Sequence, residues 1–420
     1  MLGTLRTAWR VPDLRRRFLF TILMLMVYRV GVAIPVPGII PDVIANLFQE
    51  GTLFAFLDLF SGGALKTYSV LAMGIYPYIN SSIIVQLLTV VIPKWEEMAK
   101  EEDGRKKLQE YTRYGTILLA VLQATAMTFA IRSQGALQSQ SIWLLVQIVV
   151  SLTAGTAFLM WLGELITEKG IGNGISLFIF AGIISGMPSE ILHLISLYQL
   201  GAARWYNILL WLLASLITVL GVIFITEGER RIPVQYSKRV VGRKMMGGYA
   251  TFIPIRINQA SVIPVIFASS VLAFPATIAS FIRAPWAASL QKIFDYSAPW
   301  YTAIYALLII AFTFFYTAMI FNPYDVAENM RKYGGFIPGI RPGKPTVDVL
   351  SKSVMRITAV GAIFLALVAV LPHFLVQLTK LPVLSPLSGT ALLIVVGVAI
   401  ETMKQVEAQL VMRNYQGFLK

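Results

Sequence analysis

His193 and His373 are the chain's two histidines, and each stands among apolar neighbours. A metal site needs several convergent ligands, so an isolated imidazole makes none. There is no cysteine, which removes disulfides and thiolate metal sites. Gly170-Ile-Gly-Asn-Gly174 is glycine-rich but lacks the third-glycine spacing and a preceding Rossmann strand. Gly343-Lys344 is followed by Pro345 where a phosphate loop requires Ser or Thr, and Pro338 stands where its first glycine would be. No Ser-His-Asp set can be assembled. The residues predict no catalysis, no metal and no cofactor. Glu164, Glu227 and Glu401 fall at the ends of apolar runs. The mid-membrane carboxylates that ion-coupled transporters use for binding and relay are therefore missing. Arg29 is the one clear charge inside a run, and it reads as a side chain snorkelling outward.

The apolar spacing is more informative. Ile79 and Ile83 are four apart, as are Ile175 and Ile179, so each pair shares one helix face. By pattern alone this is ordinary lipid-facing or core packing. The elements that carry these pairs are membrane spans. The chain is 57% hydrophobic and 13% charged, against about 25% charged in an ordinary soluble domain. A span needs roughly 20 apolar residues. Runs occur at 18–36, 62–92, 114–131, 142–163, 172–187, 206–226, 259–282, 302–321, 354–371 and 387–403. The first follows a basic stretch like a signal peptide, but it is long and lacks a small-residue cleavage site, so it reads as a retained span.

Ten spans place both termini on one side. With the N-terminus cytoplasmic, the inner segments 1–17, 93–113, 164–171, 227–258, 322–356 and 404–420 hold 28 of the 35 Lys and Arg, and the outer segments hold six. That bias predicts cytoplasmic termini. A division between spans five and six separates residues 18–187 from 206–403, joined by an external loop at 188–205. Five spans in each part make the halves inverted, which places a pathway at their interface.

The second run is broken. It opens with Gly62-Gly63, reaches Gly74, and meets Tyr76-Pro77 before a second apolar piece at 78–92. Pro77 disfavours helix just before it. About 12 helical residues reach only about 18 Å of a core about 30 Å thick. The first piece is thus expected to be a re-entrant half-helix over 62–73, tolerated inside protein or beside water; one long kinked span is the alternative. Its glycines and its short length predict weak anchoring.

Two basic segments, 227–258 and 322–356, exceed the length of a tight connection. The first carries Arg239, Arg243 and Lys244 at its tip; the second contains the turn Phe336-Ile-Pro-Gly-Ile-Arg-Pro-Gly343. Their length and charge suggest an acidic or RNA-bearing cytoplasmic partner.

Eight motifs occur in order: Leu59-Phe-Ser-Gly-Gly63, Ala72-Met-Gly-Ile-Tyr-Pro-Tyr-Ile79, Gln109-Glu-Tyr-Thr-Arg-Tyr-Gly115, Ile166-Thr-Glu-Lys-Gly-Ile-Gly-Asn-Gly-Ile-Ser176, Asn258-Gln-Ala-Ser-Val-Ile-Pro264, Phe267-Ala-Ser-Ser270, Phe274-Pro-Ala-Thr-Ile-Ala-Ser280, and the turn at 336–343. Through them the chain resembles the SecY family over essentially its whole length. The resemblance implies an all-α integral membrane protein with ten helices in two inverted five-helix halves around a central pore. It implies a protein-conducting channel, not an enzyme, in the bacterial plasma membrane, which passes unfolded secretory polypeptides and releases apolar segments sideways into the lipid bilayer. The pore ring would be Ile79, Ile83, Ile175, Ile179, Ile266 and Ile394. The plug would include Gly62, Gly63, Leu65, Lys66, Thr67, Tyr68 and Ser69. A lateral gate for signal peptides would lie between spans two and seven, at Gln86, Asn258, Ser269 and Phe274. Arg239, Arg243, Lys244 and Arg341 would receive the ribosome or the SecA motor. SecE and SecG are the implied small membrane partners. The Met245-Met246 pair at the loop tip departs from the family pattern, and the tail after the last span is short. A secondary transporter of small solutes is the competing function, and the absent mid-membrane carboxylates disfavour it.

Overall fold

The structure, a computed structural model, describes residues 7–40, 58, 61–133, 135–201, 204–236, 239–241, 244–246, 250–281, 298–379 and 389–418. In chain order these hold α1 (Pro12–Val32), α2 (Tyr76–Val91), α3 (Pro93–Lys100), α4 (Glu102–Ser133), α5 (Ile142–Lys169), α6 (Gly174–Gln199) and α7 (Trp205–Glu227). Then come β1 (Glu229–Tyr236), β2 (Arg239–Val241), β3 (Lys244–Met246), β4 (Ala250–Arg256), α8 (Ile263–Phe281), α9 (Pro299–Ile320), α10 (Pro323–Lys332), β5 (Gly335–Phe336), α11 (Lys344–Thr379) and α12 (Gly389–Phe418).

Local chemistry sets several boundaries. The Asn173 side chain accepts from the backbone N–H groups of Ile175 and Ser176, capping α6. Asn322 caps α10 by accepting from Tyr324 N, with Pro323 in the first turn. At Ile92 the backbone turns extended before Pro93, and α2 and α3 meet at a bend of 106°. Among the described residues, α4, α5, α6, α7, α11 and the α9–α10 stretch are each long and apolar enough to cross a membrane. With 32 and 36 residues, α4 and α11 reach about 48 and 54 Å, well beyond the hydrocarbon core.

Packing divides the helices into two groups. In the first half α2 packs on α4, α4 on α5, and α5 on α6, with α1 against α5 and α6; in the second, α8 packs on α9, α9 on α11, α11 on α12, and α12 on α7. The halves meet along two seams, α8 with α2 and α4, and α6 with α12.

The fold is mostly helical, as expected, and it adds a small sheet that the apolar pattern does not announce: β1 pairs antiparallel with β4 and with β5, so the two long basic segments form one three-stranded sheet, while β2 and β3 make a separate hairpin. Ile232 and Val234 alternate with exposed neighbours along β1, the period of a half-buried strand. Residues 62–75 are a succession of turns, not a half-helix. Gly62, Gly63 and Gly74 take positive φ, which interrupts a helix where the apolar pattern alone continues it. The expected loop at 188–205 is largely helix, because α6 runs through Pro188 to Gln199. The tail at 404–420 is helical to Phe418 as the continuation of α12.

Candidate functional site

The six isoleucines come from α2, α6, α8 and α12, and the fold gathers them. Ile79, Ile83, Ile179, Ile266 and Ile394 are buried members of one apolar cluster, and half-buried Ile175 packs against it. Ile394 is 0% exposed and the other four buried members are 5% or less. Residues 79 and 394, far apart in the chain, thus belong to one cluster. Isoleucine offers a passing chain no hydrogen bond, so a constriction of such side chains favours no sequence.

Segment 61–75 closes on this cluster. Ala64, Leu71 and Ile75 belong to it, beside Tyr28 and Val32 of α1. The opposite side of the segment, Leu65, Tyr68, Ala72 and Met73, joins a second cluster with Ala124, Met127 and Ile131 of α4 and Ile148 and Leu152 of α5. Pro35 and Ser69 form an antiparallel bridge, flanked by Val36 N donating to Tyr68 O and Val70 N donating to Ile34 O, both at 3.0 Å. Ser69 is buried, whereas Lys66 and Thr67 are exposed. A Cβ on Gly155 of α5 would run into the Val70 carbonyl, so glycine there lets the segment's backbone lie against the helix. The segment is therefore firmly packed, contrary to the weak anchoring its glycines suggested.

Arg29 also departs from expectation. Its guanidinium turns onto the segment and donates from Nη1 to Gly62 O at 2.8 Å. The neighbouring Tyr28 hydroxyl donates to Ser61 O at 2.9 Å. Asp58 Oδ1 accepts from Ser61 Oγ at 2.9 Å and from the backbone N–H of Leu65 and Lys66 at 3.0 Å. Sequence reasoning passed over Asp58 because it lies outside every apolar run. Its position three residues before Ser61, in front of a Gly-Gly turn, was the available signal.

Along the seam of α2 and α8, Gln86 Nε2 donates to Ser82 Oγ at 3.1 Å, and its amide interacts with the Tyr316 hydroxyl of α9. Asn258 Nδ2 donates to Ser261 O at 3.0 Å, and Ser269 Oγ to Ile266 O at 2.8 Å. The Asn258 Oδ1 and Ser270 Oγ atoms are buried without a partner among the described residues. Such seams resist tight closure, since unpaired buried polar atoms are costly. The side chains of Phe274, Arg239 and Lys244, and the whole of Arg243, lie outside the described residues.

A cavity of about 710 Å³ opens over Ile175, lined also by Tyr78, Gln109, Arg113, Glu164 and Glu168. Arg113 Nε donates to Glu164 Oε1 at 2.9 Å. The i,i+4 spacings of Gln109 with Arg113 and of Glu164 with Glu168 were the signal for this polar lining, which went unread. Among the described residues, no group of three His, Asp or Glu side chains comes together.

The sheet and the α10–α11 region share a core of Ile232, Val234, Ile255, Met330, Ile337 and Leu350. Arg230, Arg231 and Arg256 are exposed on it. The Arg231 guanidinium stacks 4.8 Å from the Phe252 ring centroid. Arg341 is exposed in the turn between Gly339 and Gly343, both at positive φ, and its carbonyl accepts from Thr346 Oγ1 at 2.9 Å. The Arg341 side chain is thus exposed on a turn tied back by one side-chain hydrogen bond.

Comparison with known proteins agrees with this architecture. The SecY family model matches residues 69–403. The protein translocase subunit SecY of Halalkalibacterium halodurans is 49% identical, and that of Mycobacterium tuberculosis 46%, each over 100% of both chains. Among solved structures, a protein-conducting channel matches with a TM-score of 0.67 at 19% identity, covering 94% of this chain and 93% of the other. Sec61 in the canine ribosome–channel complex of the endoplasmic reticulum matches at 0.60 and 17%, covering 94% and 93%. The chain belongs to the SecY family.

Proposed function

We propose that the chain is the channel subunit that passes unfolded polypeptides across the plasma membrane. The observation that carries this reading is the convergence of six isoleucines from four helices, with segment 61–75 packed on them. An apolar constriction excludes hydrated ions by dewetting yet grips no particular side chain. Segment 61–75 acts as a stopper that must leave when a polypeptide enters. The α2–α8 seam, with Gln86, Asn258, Ser269 and Phe274, is the lateral exit through which apolar helices of about 20 residues reach lipid.

Ten spans with both termini cytoplasmic fit the distribution of basic residues, 28 inside against six outside. On that orientation the sheet and Arg341 face the cytoplasm. Arg239, Arg243, Lys244 and Arg341 then dock a ribosome or the SecA motor, and relatives of this fold occur in ribosome complexes. SecE and SecG complete the assembly as small membrane subunits. Reconstitution of the chain with these partners and SecA tests the reading. A secretory precursor becomes protected inside the vesicles if it holds; protection that does not depend on the chain contradicts it.

A further inference from the structure

The turn at 61–66 has short-range backbone bonds of its own, such as Ala64 N donating to Ser61 O, but several of its polar groups are tied down by side chains. Its first two carbonyls, Ser61 O and Gly62 O, receive Tyr28 and Arg29. Its last two N–H groups, of Leu65 and Lys66, give to one oxygen of Asp58, which also holds Ser61 Oγ. Tyr28 interacts electrostatically with both Arg29 and Asp58. Gly62 fits because it has no side chain. A Cβ there would stand 2.7 Å from the Tyr28 hydroxyl and 2.8 Å from Gly182 Cα of α6. These bonds can all be released without opening a helix or a sheet ladder.

An arginine inside an apolar span is costly unless its charge is placed on a polar group. Here that group is a main-chain carbonyl of the segment that must move. Displacing the segment strips Arg29 of this acceptor and Asp58 of its three donors, so both charges favour the segment's return. We infer that Tyr28, Arg29 and Asp58 are positioning residues that latch segment 61–66 in its closed place and set how readily it leaves. The inference rests on the reading of segment 61–75 as the stopper of the pore.

The test uses the full chain in its native membrane assembly. The chain has no cysteine, so Ser69→Cys, a buried and nearly isosteric change, supplies one thiol that N-ethylmaleimide reaches only when the segment is displaced. Loss of a charge-assisted bond in Arg29→Leu raises the labelling rate about tenfold or more, and loss of one neutral bond in Tyr28→Phe raises it about threefold. Arg29→Lys keeps a cationic donor and brings the rate back towards that of the parent, which a simple packing role does not predict. Labelling at the parent rate in both Arg29→Leu and Tyr28→Phe overturns the latch, as does a raised rate that Arg29→Lys leaves unrestored. If Arg29→Leu fails to accumulate, Tyr28→Phe decides alone, since it changes only a hydroxyl. A chain lacking residues 62–70 separates the two readings. If its idle ion conductance equals the parent's, the stopper reading fails. If it leaks while the point variants label normally, only the latch fails.

Discussion

Segment 61–75 and the three-stranded sheet are both non-helical insertions between apolar helices, yet they are held in opposite ways. The sheet has a backbone ladder, from Glu229 opposite Arg256 to Gln235 opposite Ala250, over a core of its own. Segment 61–75 has one bridge, to Pro35 just after α1, and is tied to its surroundings otherwise by single side-chain bonds such as those of Tyr28, Arg29 and Thr67. A region that carries its own ladder keeps its shape when neighbours move. A region whose own backbone bonds are short-range turns, and whose ties to its surroundings are few, can leave as a unit. The first suits a docking platform and the second suits a stopper.

The largest effects should come from within the apolar clusters. Ile394→Ala empties a fully buried site and should cost about 2–5 kcal/mol, read as reduced thermal stability in detergent. The same change at half-buried Ile175 should cost clearly less. Equal costs would mean that the six isoleucines do not share the packing seen here. Val234→Asp places a charge in the sheet's core and should disorder the sheet and abolish motor-driven transport. Idle ion conductance should stay at the parent level, because the stopper does not depend on the sheet. A leak in this variant would break the contrast between the two regions.

Gly62→Ala comes next. It forces a side chain into positive φ against Tyr28 and Gly182, at about 1–2 kcal/mol for the backbone alone. Idle conductance measured in planar bilayers should rise while the protein still accumulates. The smallest effect on stability is expected for Arg341→Glu, under about 0.5 kcal/mol for an exposed site. Transport driven by SecA should nevertheless fall. Normal transport, or failure to accumulate, would remove Arg341 from the docking face.

What was legible in the sequence follows from the range of each signal. The face shared by Ile79 and Ile83 is a local, four-residue spacing and could be read directly. Their joining one cluster with Ile394 is a tertiary event that local spacing does not encode, and the family motifs supplied it. The sheet was missed because short strands with alternating burial, such as Ile232 and Val234, look like loop inside a highly charged stretch. The half-helix expected at 62–73 followed the apolar composition, but positive φ at Gly62, Gly63 and Gly74 decided the backbone. Arg29 was read as snorkelling because its acceptor, Gly62 O, is 33 residues away. Composition recorded the membrane well, because hydropathy is a sum over many residues.

The most direct measurement locks the stopper in place. Pro35 and Ser69 face each other as a non-hydrogen-bonded antiparallel pair, a spacing of about 4.5 Å between Cα atoms that suits a disulfide. In a chain carrying Pro35→Cys and Ser69→Cys, precursor import into vesicles should stop on oxidation and return on reduction, while each single variant transports under both conditions. Import that continues with the disulfide fully formed would show that polypeptides pass without moving segment 61–75, and would contradict the account.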